Sequence, residues 1–318
     1  MIMADANQPA TDRVGIVLVN YNGQKFMPDC LESLAKIDYA LVQVIVVDNA
    51  STDGSADWTQ THYPSVALIR HTHNQGITGG NNAGIEWCKK NNCNYVLLLN
   101  NDTVVEPDFL SQLLLQMEPD CLLVPKIYFY DNKSLINNHV GGFDYWRGRH
   151  LDWFYEKTDS AQSQKTHFAQ MASTCALLIP ISTFDEIGIM DEAYFMYSDD
   201  TDFLTRAIRS GFRIKFVPDA VLYHRESSSS GGRNSPLSIY YTNRNRLYFM
   251  FKHQHNMLAL VFFFFYFGVT RVLTALRYLR NGETIQLVAL KNAISDFQCH
   301  KMGYASPKRF QGSGADAT

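Results

Sequence analysis

Over the first third of the chain, apolar runs of strand length alternate with segments of helical pattern. VGIVLVN at 14–20, VQVIVVD at 42–48, VALIR at 66–70 and YVLLLN at 95–100 are almost continuous in Val, Ile and Leu. Between and after them the pattern predicts helices near 26–35, 55–61 and 80–90, and one following Pro107. Uninterrupted aliphatic strands separated by helices signify a mostly parallel sheet covered on both faces, a Rossmann-like α/β architecture. Ligands in such sheets collect beyond the carboxyl ends of the strands. Asn20, Asp48 and the tip Asn100, Asn101 and Asp102 are therefore expected at one rim.

The rest of the chain is less regular. A polar stretch at 131–170 precedes an expected strand at 174–179 and a helix starting near Asp200, and FRIKFVP and AVLYH read as two short strands. RESSSSGGRNSP at 225–236 has the composition of a mobile loop, of the kind that serves as a lid. From Leu237 the pattern is helical. MLALVFFFFYFGVT at 257–270 is apolar, but reaches only about half to two-thirds of the roughly 20 residues that span a bilayer. Beyond it Arg271, Thr274, Arg277 and Asn281 fall on one face and Val272, Ala275, Leu276 and Leu279 on the other. That pattern predicts a helix lying in the membrane interface; a C-terminal core or a contact between subunits is the alternative for the phenylalanines. There is no internal repeat.

Charge sharpens this picture. The net charge is −3 over 318 residues, but residues 1–238 hold 18 Lys and Arg against 28 Asp and Glu, and residues 239–310 hold 10 against 2. An acidic body argues against nucleic acid as a partner, because affinity for a phosphodiester backbone needs clustered cations. A basic, aromatic tail suits the anionic inner leaflet of a membrane. The cysteines Cys30, Cys88, Cys93, Cys121, Cys175 and Cys299 form no CxxC pair, and the N-terminus lacks the order of a signal peptide. These features predict a reduced protein in the cytoplasm, peripheral at the cytoplasmic membrane, with disordered tails at 1–12 and 311–318.

Five stretches carry candidate chemistry. In VDNASTDGS, Asp48 at a strand end is an acceptor for a pyrimidine ring N–H or a ribose hydroxyl, although the same residues suit a turn into a helix cap. NQGITGGNNAG at 74–84 packs four glycines and three asparagines before a helix, where backbone N–H groups can approach a diphosphate. It lacks the P-loop lysine and the dinucleotide spacing, which sets aside kinase and NAD readings. Asp102 is a candidate ligand for Mg2+ or Mn2+, which need one or two carboxylates plus phosphate oxygens. His224, ending AVLYH at what should be the same rim, is either a second ligand or a surface residue. In YFMYSDDTDFLTRAIRSGFRI, Asp199, Asp200 and Asp202 crowd a helix start. Capping accounts for one or two of these carboxylates; crowding of like charges raises at least one pKa and suits a general base.

In their order, VNYN, VVDNASTDGS, NQGITGGNNAG, LLLNNDTVVEPDFL, the GG near 141, the acidic segment, VPDAVLYH and YYTNRNR resemble the family 2 glycosyltransferases, in the rhamnosyltransferase-like branch that assembles bacterial surface polysaccharides. The resemblance covers about residues 13–251. It implies a GT-A fold with a nucleotide-binding half at about 13–130, an acceptor half at about 131–236 and a membrane-associating helical extension at 237–310. It also implies a divalent metal and inverting transfer from a nucleotide-diphosphate sugar. The family's nucleotide-contacting Asp falls on Asp48, its DxD on Asn100, Asn101 and Asp102, its acidic base motif on Asp199 and Asp200, and its late metal histidine on His224. The wider donor-contacting set is Asn20, Asn22, Asp48, Asn74, Gly79, Gly80, Asn81, Asn100, Asn101 and Arg244. Three positions depart from the pattern: Asn100 opens the DxD, Asp199 replaces a glutamate, and Ser173-Thr174 stand where relatives have Gly-Ala.

The mechanism implied is direct displacement. A metal on Asp102 and His224, with N–H groups near Gly79 and Gly80, neutralises the departing diphosphate, and Asp200 takes the acceptor hydroxyl's proton while Asp199 holds it in position. Arg244, or Arg233 in the 225–236 loop, is a candidate diphosphate clamp. The donor is a dTDP- or UDP-sugar, with dTDP-rhamnose fitting the branch, and the acceptor a glycan or lipid-linked glycan. An oligomer is compatible with the chain. The competing reading is a sugar-nucleotide or glycan binding protein of weak catalytic power on the same fold, which Asn100 favours. A nucleotidyltransferase would want a basic glycine-rich loop where NYNGQKF stands.

Overall fold

The computed structural model describes residues 12–225, 232 and 234–311; the expected tails, most of the 225–236 loop and Arg233 lie outside them. The first third follows the expected alternation: β1 (Val14–Asn20), α1 (Met27–Leu34), β2 (Val42–Asp48), α2 (Ser55–His62), β3 (Ala67–Arg70), α3 (Gly76–Lys90), β4 (Tyr95–Asn100), a short β5 (Thr103–Val105) and α4 (Phe109–Leu114). β1 to β4 are parallel, and their register aligns the rim. Asn20 lies opposite Asp48 across β1 and β2, and Val19 opposite Asn100 across β1 and β4.

β6 (Cys121–Phe129) has no counterpart in the expected pattern. It is a buried strand carrying Pro125 at its centre, a residue that removes a ladder hydrogen bond and argues against a strand. β7 (Leu135–Ile136), the hairpin β8 (Gly141–Asp144) with β9 (Arg149–Asp152), β10 (Lys157–Thr158) and β11 (His167–Ala169) follow, then β12 (Ala176–Pro180), α5 (Thr183–Ile187) and α6 (Asp199–Arg209). FRIKFVP and AVLYH form one strand rather than two: β13 (Arg213–His224), whose register on β6 slips between Val217 and Val221 around Pro218. A bulge relieves the proline and lets the strand continue.

The main sheet runs β10-β7-β6-β12-β4-β1-β2-β3, with β13 parallel along β6 and carrying β5 and β11. β12 is antiparallel to both β4 and β6, so β6 and β13 point the same way as β1. This topology brings His224 to the rim of Asn20, Asp48 and Asn100. Two apolar cores flank the sheet. A third joins Phe195 to Tyr240 and Tyr241 of α7 (Pro236–His253) and to Ala289 and Ala293 of α9 (Thr284–Gln298). α7 is thereby built into the body. α8 (Met257–Asn281) is different. It is the one helix among the described residues long and apolar enough to cross a bilayer by length and composition, and only 17% of its most apolar 18-residue window is buried.

Candidate active site

At the rim, the ends of three strands are tied by one side chain. Buried Asn20 donates through Nδ2 to Asp48 Oδ1 (2.9 Å) and to the hydroxyls of Ser51 (3.1 Å) and Ser55 (2.8 Å), and its Oδ1 accepts from Asn101 Nδ2 (3.0 Å). Asp48 Oδ2 accepts from the Ser51 N–H at 3.1 Å. Asn22, at φ 52°, closes the loop by accepting from the Thr52 N–H (2.8 Å) and donating its own N–H to Ser51 Oγ (2.9 Å). Neighbouring Asn49, which the sequence did not single out, donates to the Gly76 carbonyl (2.8 Å) and meets His71 Nδ1 (2.9 Å), coupling β2 to the start of α3.

α3 begins four residues earlier than expected, and this changes the reading of its glycines. Asn74 Oδ1 accepts the Gly76 N–H at 2.8 Å. The four N–H groups without a helical partner are those of Gln75, Gly76, Ile77 and Thr78. Asn49 Oδ1, Asn74 Oδ1 and the Phe195 carbonyl accept from Gln75, Gly76 and Thr78. Gly79 and Gly80 already belong to the ladder, which corrects Gly79 as a diphosphate contact. A Cβ on Gly80 would lie 2.6 Å from Val19, and one on Gly84 2.2 Å from Val17. These glycines let α3 lie close against β1, and Gly80 is corrected from a diphosphate contact to a packing residue. Asn81 is buried with Nδ2 toward Met190 Sδ (3.5 Å) and likewise faces the interior. Asn82 clamps the 190–192 segment, donating to Met190 O (3.0 Å) and Glu192 Oε1 (2.9 Å) and accepting from Met190 N (3.0 Å).

On the other side of Asn101 stands the Asp102–His224 pair. Asp102 Oδ1 and His224 Nε2 are 3.2 Å apart and both side chains are nearly buried. Asn100 Nδ2 lies 3.5 Å from the same ring nitrogen, and Asn137 Nδ2 lies 3.2 Å from Nδ1. Burial, the largest influence on His224, pulls its pKa down, but contacts with Cys175 and Asp102 outweigh it and hold the ring well above its ordinary value. Two donors about 3 Å apart are what neighbouring corners of an octahedron with bonds of about 2.1 Å require. The residues thus fit a divalent ion: one carboxylate, one imidazole, an amide oxygen available from Asn100, and Asn137 able to hold the second ring nitrogen whichever way its amide is turned. The acidic group Glu118, Asp120 and Cys121 is a poorer candidate. It sits at the opposite edge, where Arg213 and Lys215 already pair with it at 2.6–3.0 Å.

The acidic helix start reaches the same rim. α6 turns into β13 at 210–212 and packs along it, so its N-terminus points toward the strand's carboxyl end. The preceding turn is strained, with Phe195, Tyr197 and Ser198 all at φ between 63° and 66°. Non-glycine residues adopt this region only when their surroundings dictate it. Here Thr78 donates to Phe195 O through Oγ1 (3.3 Å). Asn245 Nδ2, from α7, donates to the carbonyls of Tyr194 (2.9 Å), Met196 (2.7 Å) and Tyr197 (2.9 Å). Gly76 makes room: a Cβ there would stand 2.2 Å from Phe195 O. Arg244, expected as a diphosphate clamp, is fully buried and spends its donors on Asn245 Oδ1 (3.0 Å), Gly303 O (2.9 Å) and Tyr194 O (3.2 Å). It is a support of this turn.

The three aspartates separate by environment. Asp202 is wholly buried, bonded to Arg206, Lys252 and His253 at 2.7–2.9 Å, and the bonds from His253 and Lys252, with the charges of Lys252 and Arg206, hold its pKa below the usual carboxylate range against the cost of burial. It is structural. Asp199 is also buried, and burial first, then the charge of Asp200, pushes it up from 3.8 to about 8. Asp200 is half-exposed and accepts from Thr201 N (2.6 Å) and Oγ1 (3.1 Å). Between pH 3.8 and about 8 the native Asp199 keeps a proton that the unfolded chain releases. The contribution of Asp199 to stability therefore falls with rising pH across that window. Asp199→Asn should flatten the decline of Tm between pH 5 and pH 8; parallel curves for variant and parent would refute the buried proton.

The chain matches the family model described as Glycosyl transferase family 2 over residues 15–179. It is 24% identical over 272 residues to the N-acetylglucosaminyl-diphospho-decaprenol L-rhamnosyltransferase of Mycobacterium tuberculosis, covering 77% of this chain and 86% of that one. To the dTDP-rhamnosyl transferase RfbF of Shigella flexneri it is 23% identical, covering 77% and 82%. Among solved structures, it is similar to Staphylococcus aureus TarS 1–349 in complex with UDP-GlcNAc, with a TM-score of 0.54 at 17% identity over 90% of this chain and 80% of the other. The mannosyltransferase PcManGT of Pyrobaculum calidifontis, solved with GDP-Man and Mn2+, gives a TM-score of 0.55 at 14% identity over 91% and 88%. These structures share the GT-A arrangement of the central sheet.

Proposed function

The chain belongs to glycosyl transferase family 2, and from that premise we propose that it is a metal-dependent, inverting transferase. In this reading it moves a sugar, rhamnose from dTDP-rhamnose foremost, to a hydroxyl of a lipid-linked glycan. The observation that carries the reading is the meeting at one rim of the Asp102–His224 pair, 3.2 Å apart, and a strained turn presenting Asp199 and Asp200. The rhamnosyl relatives named above support the donor and the lipid-linked acceptor.

Asn20, Asp48 and Asn101 form the floor for the nucleoside, with Asn22 and Asn74 beside it and Asn100 next to Asp102. Asp102 and His224 hold Mn2+ or Mg2+, which when bound supplies charge neutralisation of the leaving diphosphate. Asp200, the accessible carboxylate, takes the proton of the acceptor hydroxyl as its oxygen attacks the anomeric carbon from the side opposite the diphosphate. Asp199, neutral and buried, adds no second charge beside it. The displacement inverts the anomeric centre. We further propose that α8 lies against the inner leaflet of the cytoplasmic membrane. Leu258, Val261, Phe265, Val272 and Leu276 are more than half exposed on it, and the exposed Arg277 and Arg280 near its end suit anionic headgroups.

A panel of sugar nucleotides, assayed for nucleoside diphosphate release with and without Mn2+, tests the reading. Release should be confined to one or two donors and fall at least a hundredfold with EDTA; full activity in EDTA would remove the metal role of Asp102 and His224. Because a metal-bound imidazole must be neutral, Mn2+ affinity should weaken as pH falls through the raised pKa of His224.

A further inference from the structure

Beside α8 lies a group of cations with too few anions. Arg271 and Arg149 repel Arg246 here, Arg147 stands beside it, and among the described residues the carboxylate paired with this group is Asp144, bonded to Arg147 (2.9 Å) and 3.8 Å from Arg149. Arg246 and Arg271 face the same ring, with guanidinium carbons 5.6 Å and 5.5 Å from the centroid of Phe267. Arg246 donates to the Arg147 carbonyl and Arg271 to Asn243 Oδ1 (2.9 Å), yet the Nε of each is buried without any partner. Burial, followed by repulsion from Arg271, pushes Arg246 down to about 10. Buried donors left unpaired cost about 1–3 kcal/mol apiece, and two like charges share one aromatic face. An arrangement of this kind is stabilised by an anion.

Adjoining the pair is a cavity of about 410 Å3 between α7, α8 and α9. Its lining is almost wholly apolar, including Leu247, Phe264, Phe267, Val272 and Leu290, and Arg271 stands in its wall. Gly268 also lines it, and a Cβ there would meet nothing within 4 Å. The cavity is continuous with the exposed apolar face of α8. A polar substrate cannot use such a space, and a bilayer phospholipid would have to place two chains in one slot.

We propose that this slot takes the hydrocarbon chain of a single-chain lipid phosphate or diphosphate, and that Arg271, with Arg246 across Phe267, takes its phosphate. This deepens the proposed function by assigning a seat to the acceptor's lipid carrier, and it rests on the lipid-linked acceptor of that reading.

The test is binding of geranylgeranyl diphosphate to the full chain by calorimetry, with UDP and dTDP present at saturation to block the donor rim. Arg271→Gln and Gly268→Leu, the second filling the slot while raising helix propensity, should each weaken binding at least tenfold without lowering Tm or nucleotide affinity. Inorganic pyrophosphate and geranylgeraniol should each bind at least tenfold more weakly than the intact lipid. Equal binding by parent and both variants, or by pyrophosphate and the lipid, would overturn the proposal. So would a parallel loss of binding by Arg271→Gln to vesicles of pure phosphatidylglycerol, which would make the arginines a general bilayer contact. Slow donor hydrolysis without acceptor reads the rim alone. Its absence, with lipid binding intact, would sink the transfer reading and keep the slot; hydrolysis without lipid binding would do the reverse.

Discussion

Asp200→Asn is expected to lower kcat by a factor of 10^2 to 10^4, the contribution of a positioned general base, while donor affinity stays within twofold. Asparagine keeps an oxygen where Asp200 Oδ1 accepts from Thr201 N and Oγ1, so the start of α6 should hold. What it cannot do is take a proton. Among the described residues no partner holds the other carboxylate oxygen of Asp200, and the side chain is partly open to solvent, both of which an acceptor hydroxyl requires. The nucleoside contacts proposed at Asn20 and Asp48 are on other elements and should be untouched. Titration with nucleoside diphosphate, set beside turnover, separates the alternatives: a sugar-nucleotide binding protein would show the same affinity and no turnover to lose. If turnover survived in Asp200→Asn and vanished in Asp199→Asn, the base would be the buried acid, titrating near pH 8.

The rim was legible because parallel strands buried on both faces admit few polar residues until they end. Asn20, Asp48 and Asn100 stand out against continuous Val, Ile and Leu, and the parallel register then aligns them. The proline-bearing strands were not legible. Pro125 hides β6, and Pro218 divides β13 on paper, although a slip in register lets it run through to His224. The buried asparagines were also silent. Asn49, Asn82, Asn137 and Asn245 each join segments distant in sequence, and an amide that clamps a carbonyl has no signature distinct from one in a turn. Arg244 misled for a related reason: a guanidinium that organises backbone carbonyls and one that grips a phosphate use the same donors. Crowding of Asp199, Asp200 and Asp202 was informative, but only burial and partners told the ion-paired Asp202 from the other two.

The clamp on the acidic turn has the largest expected effect on stability. Asn245→Leu keeps the γ-branched shape but removes the donor from Tyr194 O, Met196 O and Tyr197 O. Each buried carbonyl left unpaired costs about 1–3 kcal/mol, although Arg244 still reaches Tyr194 O at 3.2 Å. The left-handed residues Phe195, Tyr197 and Ser198 would also lose their restraint, and strain of about 1–3 kcal/mol per residue favours release. A loss of roughly 3–5 kcal/mol follows, which for a chain of this size lowers Tm by about 10 °C. Relaxing the turn displaces Asp199 and Asp200, so kcat should drop at least tenfold even where the variant is fully folded. Donor KM should stay within twofold, since the rim knot of Asn20 does not touch the turn. Arg244→Met distinguishes support from clamp in the same way: a drop in Tm and kcat at constant donor KM marks a support. A KM raised tenfold at unchanged Tm would return Arg244 to the diphosphate and leave the strained turn without its proposed purpose.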